Sequence, residues 1–200
     1  MIRQNFRCDN VITNLRTTHE RIYDQRLEYR PFDLSNNLLA GNEFRWFDTR
    51  LSRASGMSVS DVQQLPDQTI AYLRPDASRL GGGASFQAQD LNGQYIVLNQ
   101  DAANSTNEAD YINVVFTLQS SPYPNAQVYV GGAFNLWQRE DANRMTYNTE
   151  RNAYEASIYI KQGVANYCYY AVLNDGRVDE TSFEGSFSNT ANDYEIFVYH

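Results

Sequence analysis

The chain is poor in the residues most metal and nucleophile chemistry needs. It has two histidines, two cysteines and one lysine, Lys161. His19 lies in a polar segment and His200 is the last residue, and no HxxxH, CxxC or Cys/His cluster gives metal-ligand spacing. No metal and no cofactor is implied. No G-x-S-x-G elbow is present. Gly81-Gly82-Gly83 runs into Ala84-Ser85-Phe86 without the Lys-Ser/Thr that completes a phosphate loop, so it reads as a turn. No apolar run reaches the roughly 18 residues that a spanning helix needs. The start shows no charged segment followed by an apolar one, as a secretory leader would. Met1-Ile2-Arg3-Gln4-Asn5 reads like the middle of a strand, which predicts a piece of a longer protein. Cys8 and Cys168 fall in different halves of the chain. They read as buried free thiols, with a disulfide left open because geometry decides it.

Basic residues are also short, 16 against 24 acidic, for a net charge of −8. A nucleic-acid binder would show a basic stripe, and attachment to anionic lipid would need positive charge. Residues 1–110 hold eleven basic and fourteen acidic side chains; the rest hold five and ten. Neither half is a polyanion-binding module. Twenty-four carboxylates make close pairs by chance, and the sequence marks none as an acid–base couple. The expectation is therefore a protein without catalysis.

What the chain does have is tyrosine (15), phenylalanine (10) and alternating short runs. The 111–119 stretch, YINVVFTLQ, puts Ile112, Val114, Phe116 and Leu118 on one face of a strand. In the 43–50 stretch, EFRWFDTR, Phe44, Trp46 and Asp48 fall on one face and Arg45, Phe47 and Thr49 on the other. Further strands are expected at 2–7, 11–15, 27–29, 69–73, 93–98, 128–133, 144–148, 153–160, 166–173 and 194–199. Asn92-Gly93 marks a hairpin-type turn. Residues 17–23 suggest the start of a helical turn, and 58–65 a short helix. The polar, acidic stretch 101–110 suggests a boundary. These readings predict an all-β chain of two immunoglobulin-like β-sandwich domains in tandem. The first is 1–110, short of its opening strands, and the second 111–200.

The 128–137 stretch, VYVGGAFNLW, is a strand stopped by Gly131-Gly132, followed by Phe134-Asn135-Leu136-Trp137. It resembles the N-terminal domains of glycogen-binding and isoamylase-type proteins. That resemblance implies a sugar-stacking role for Trp137 and an α-glucan binding module. Those domains add a lysine and a second tryptophan where this chain has Cys168 and Val178. Carbohydrate binding is thus the alternative, and packing is the first reading of Trp137.

A longer set of strings resembles the C-terminal portion of the type IX secretion system plug proteins of Bacteroidota. It comprises Gln4-Asn5, Asp9-Asn10, Gly41-Asn42-Glu43-Phe44-Arg45, Asp110-Tyr111, Met145-Thr146-Tyr147-Asn148, Tyr154-Glu155, Glu184-Gly185-Ser186-Phe187 and Asn192-Asp193-Tyr194. The resemblance implies a non-enzymatic periplasmic gating subunit, associated with the outer membrane, whose partner is a translocon barrel protein. Such a role needs a wide contact surface rather than a pocket. Asn42, Glu43, Arg45, Arg50, Arg53 and Glu184 are the candidate interface residues, with the Tyr-rich run Tyr167-Cys168-Tyr169-Tyr170 beside them. The 42–45 segment is equally readable as a latch between domains, and Glu184 as a turn residue capping backbone donors.

Overall fold

The computed structural model describes residues 1–52, 56–82, 91–103 and 107–199. The early strands are β1 (Ile2–Gln4), β2 (Val11–Ile12), β3 (His19–Arg21), β4 (Arg26–Glu28), β5 (Arg45–Asp48), β6 (Val59–Gln64), β7 (Thr69–Leu73), β8 (Asp76–Ala77) and β9 (Tyr95–Val97). The later ones are β10 (Tyr111–Gln119), β11 (Ala126–Gly132), β12 (Thr146–Asn148), β13 (Ala153–Lys161), β14 (Gly163–Leu173), β15 (Val178–Asp179) and β16 (Tyr194–Ile196). One helical turn, α1 (Thr181–Glu184), follows β15. The chain is all-β, as its alternating runs predict.

Two sheets enclose the main core. The first runs β12-β13-β10-β7-β6, with β8 also on β10. The second is built around β14, which takes β5 and β15 along one edge and β9 and β11 along the other. Strands from 45–97 therefore complete both sheets begun by 111–173. Stretch 101–110 does not separate two independently sheeted sandwiches, contrary to the tandem expectation. The physical reason is edge satisfaction. β10 and β14 are long, with backbone groups free along a full edge, and the shorter N-terminal strands pair with them.

β10 buries Ile112, Val114, Phe116 and Leu118, the alternation read from the sequence. Phe116 meets Phe47 edge-on at 5.7 Å and Tyr167 at 5.2 Å between ring centres. On β14, Ala165, Tyr167, Tyr169 and Ala171 belong to this core. Cys168 and Tyr170 point the other way, into a second cluster with Phe44, Tyr129 and Trp137. Both faces of β14 are thus covered, so its burial does not alternate. On β5 the buried residues are Arg45 and Phe47.

The 58–65 stretch is a strand, not a helix. Val59 and Val62 mimic helical spacing, but a register shift between Val59 and Asp61 inserts one residue against β7. The bulge lets two valines three apart face the same side. The 17–23 stretch is β3 followed by a 3-10 turn at Ile22–Asp24, which Gln25 ends in the left-handed region. Gly131-Gly132 does not stop its strand: both residues pair with β14, opposite Cys168 and Tyr167. A Cβ at Gly131 would come within 2.6 Å of the Tyr170 ring, so close approach of that ring, rather than a turn, requires the glycine. The turn at Asn92-Gly93 has both φ positive, 48° and 82°, the type I′ pattern expected of that pair.

A three-stranded sheet, β16-β1-β2, ties the beginning of the chain to its end. The hairpin β3-β4 forms a sheet of its own.

Candidate functional site: a buried charged latch

Arg45 leaves β5 toward the interior and is buried. Its Nε donates to both oxygens of Glu184, at 2.9 and 3.1 Å. One terminal nitrogen donates to Asp76 Oδ1 at 2.8 Å, the other to the Ala77 carbonyl at 2.8 Å. Glu184, also buried, closes α1, and its carboxylate accepts from Arg79 Nε at 2.8 Å and from the Tyr169 backbone N–H at 2.9 Å. The second Asp76 oxygen accepts from the hydroxyls of Tyr167 and Tyr169, each at 2.8 Å. The Arg45 guanidinium lies 5.2 Å over the Tyr169 ring.

Two cations and two carboxylates meet here, with almost every polar atom engaged. Burial alone would pull the Arg45 pKa down; the adjacent Glu184 and Asp76 carboxylates outweigh it, and the net shift is upward. Burial first, then the Asp76 carboxylate, pushes the Tyr167 hydroxyl up. Burial, the Tyr167 hydroxyl and Asp76 do the same to Tyr169. These groups hold one protonation state at neutral pH, which suits a fixed fastening rather than proton transfer.

The fastening continues outward. Asn42 donates to the Glu184 carbonyl at 2.8 Å. Glu43 Oε1 accepts from the Ala191 N–H, and its backbone carbonyl from Arg79. The Asn5 side chain donates to Asn192 Oδ1 at 2.7 Å and accepts from the Asp193 N–H. Arg7 is buried between Asp9 and Glu180, donating to both, and its guanidinium lies 4.3 Å from the centre of the Trp137 ring. Asn5, Arg7, Asn42, Glu180, Glu184 and Asn192 border a cleft of about 340 Å³. Its polar walls make hydrogen bonds to one another: Arg7 with Asp9 and Glu180, Gln4 with Asn10 and the Leu39 carbonyl.

The candidate interface residues thus divide. Asn42, Glu43, Arg45 and Glu184 come together, but inside the chain, so they fasten the protein to itself rather than face a partner. Arg50 stays apart and pairs with Asp48 on its own strand end, at 2.6 Å. Arg53 lies outside the described residues, as does His200. The 167–170 run is buried. Trp137 is only 4% exposed, packed 5.3 Å from Phe44 and capped by Arg7, so it offers no face to a sugar ring. Cys168 is buried and free, its thiol pushed up by burial and by Glu180; Cys8 is also free but exposed, correcting the buried reading.

Asp76, Arg79, Arg7 and Glu180 were not singled out from the sequence. Asp76 meets Arg45 across 31 positions and Arg7 meets Glu180 across 173, so no local spacing announces either pair. The one available signal was Arg45 itself, a charge placed on the same strand face as Phe47.

No protein-family model and no curated protein matches the chain. Among solved structures it is similar to the crystal structure of a hypothetical protein from Parabacteroides merdae ATCC 43184. The TM-score is 0.85 and the identity 28%, over 96% of this chain and 48% of that one. The chain therefore spans about half the length of that neighbour. Among the described residues, no helix is long and apolar enough to cross a membrane.

Proposed function

We propose that the chain belongs to a non-enzymatic, periplasmic plug or gating subunit of a type IX secretion translocon, acting through protein–protein contacts with an outer-membrane barrel. The observation that carries this reading is where the plug-like strings meet. Gln4-Asn5, Asn42 to Arg45, Glu184 and Asn192-Asp193 lie far apart in sequence, yet they join in one hydrogen-bonded fastening. A set of residues that resembles a family's strings and is mutually bonded is what a common scaffold would require. The similarity to a protein of Parabacteroides, a member of the Bacteroidota, agrees in lineage. We read residues 111–200 as an immunoglobulin-like sandwich, to which the 45–97 strands are added as edges.

A gating part must be stiff, and a sandwich whose two halves share both sheets is stiff in a way two linked domains are not. The test is purification of the tagged full-length protein from cell envelopes. The expected result is a translocon barrel recovered in comparable amount. A protein that never associates with a barrel sinks the reading.

A further inference from the structure

The sheet β16-β1-β2 differs from the two main sheets in what holds it to the body. Its strands pair only with one another. Among the described residues, neither apolar core takes a member from before Phe44 or from beyond Phe183. The side chains that link the sheet to the body are polar. Gln4 donates to the Leu39 carbonyl at 2.9 Å, Asn92 donates to Asp193, and Arg7 donates to Glu180 at 2.8 Å. Apolar burial supplies most of a fold's stability, whereas hydrogen bonds and buried ion pairs exchanged for water add little net. A unit held this way opens locally at lower cost than the whole molecule unfolds.

Arg7 is the key of the attachment. Asn5 and Phe6, in the turn before it, hold consecutive left-handed φ values of 52° and 57°. Asparagine accepts that conformation, but a bulky side chain rarely does. Phe6 is 39% exposed, so its burial does not explain the strain. What the turn achieves is to send Arg7 inward, over the ring of Trp137. Of the two carboxylates it meets, Asp9 belongs to the same turn, and Glu180 is the one that ties it to the body. Trp137 clusters there with Phe44 and the free thiol of Cys168. The 340 Å³ cleft is lined by Gln4, Asn5, Arg7 and Asp9 from the sheet's side and by Phe44 and Cys168 from the body, so the two are not close-packed there. A hinge is also present: the Thr190 hydroxyl donates to the Gly41 carbonyl and Asn192 to the Ala40 carbonyl, each at 2.9 Å, pinning the chain just before β16.

We propose that the sheet β16-β1-β2 is a flap, keyed by Arg7, that swings open as a unit while both main sheets and the Arg45–Glu184 latch stay closed. Opening draws Arg7 off Trp137 and bares Cys168. The flap goes beyond the plug reading and does not depend on it.

The test uses the full chain carrying Cys8→Ser, which leaves Cys168 as the one thiol. Its alkylation by iodoacetamide is followed at rising urea, below the unfolding transition. Cys168 is expected to react through an opening that depends far less on urea than global unfolding does, because less surface is exposed. Amide exchange of β1 and β16 should report the same opening. Adding Glu180→Ala, which frees Arg7 from the body, should speed alkylation at least tenfold and leave exchange along β10 unchanged. Alkylation that follows global unfolding, with its full urea dependence, would overturn the flap. So would a Cys168 that reacts as fast in the folded chain as in the unfolded one, since nothing would then cover it. Equal rates with and without Glu180 would overturn Arg7 as the key. If the Glu180→Ala protein does not fold, the urea dependence of the Cys8→Ser protein decides the question by itself.

Discussion

The region around Arg45 and the hairpin around Tyr23 solve opposite problems with the same residue types. At the latch, arginine and tyrosine are buried, and their polar groups meet partners brought from distant parts of the chain. At the hairpin, arginine and tyrosine stand in solvent, and the only carboxylate the two strand arginines share is local. The first arrangement makes the fold definite; the second leaves interaction capacity outside it. Residue type alone therefore does not tell a fastening from a docking surface. What tells them apart is whether the bonding potential is already used within the chain.

The comparison breaks most readily at Glu184. Replacing it with alanine leaves the buried Arg45 and the half-buried Arg79 without their shared carboxylate and orphans the Tyr169 N–H. Loss of one partner of such a buried group costs about 3–5 kcal/mol. Denaturant unfolding should show a drop of that order. The exposed hairpin tip changed by Ile22→Asp/Tyr23→Asp, read in the same assay, should stay within about 0.5 kcal/mol of the unaltered chain, as surface changes do. A Glu184→Ala protein as stable as the original would mean the network is not a fastening.

A smaller effect sharpens how much of this region titrates. Asp179, just before α1, accepts from the Thr181 N–H and hydroxyl at 2.8 Å each and from Ser182. Burial would raise its pKa, but these hydrogen bonds outweigh it and hold it at about 2, below the ordinary 3.8. Folding thus favours the ionised form. Its contribution is complete above pH 3.8 and is lost as pH falls toward 2. Asp179→Asn should flatten the fall of the thermal midpoint over that window and change the midpoint's pH dependence near neutrality very little. An unchanged acid slope would place the titrating group elsewhere.

The sequence carried the strands well where one face is buried and one is free. β10 reads directly from Ile112, Val114, Phe116 and Leu118, and β7 and β13 lie within a residue of expectation. It misled where a local irregularity imitates another period, as the bulge in β6 does. It also misled at Gly131, which serves the ring of Tyr170 on the neighbouring strand rather than a turn. The latch was half legible. Arg45 and Glu184 stood out as residues carrying the family resemblance, but their partners Asp76 and Arg79 sit in a segment without periodicity. The sharing of sheets across 101–110 was not legible at all, because a polar linker looks the same whether the strands beyond it pair apart or together. The exposed tip at Ile22–Tyr23 looked like the start of a helical turn, since no pattern in a sequence reports that an apolar residue lacks a neighbour.

Hydrogen exchange of the full chain tests the division most directly. The account predicts slow exchange at the Tyr169 N–H and along β14, and fast exchange through 19–28. Protection of the hairpin equal to that of β14 would contradict it.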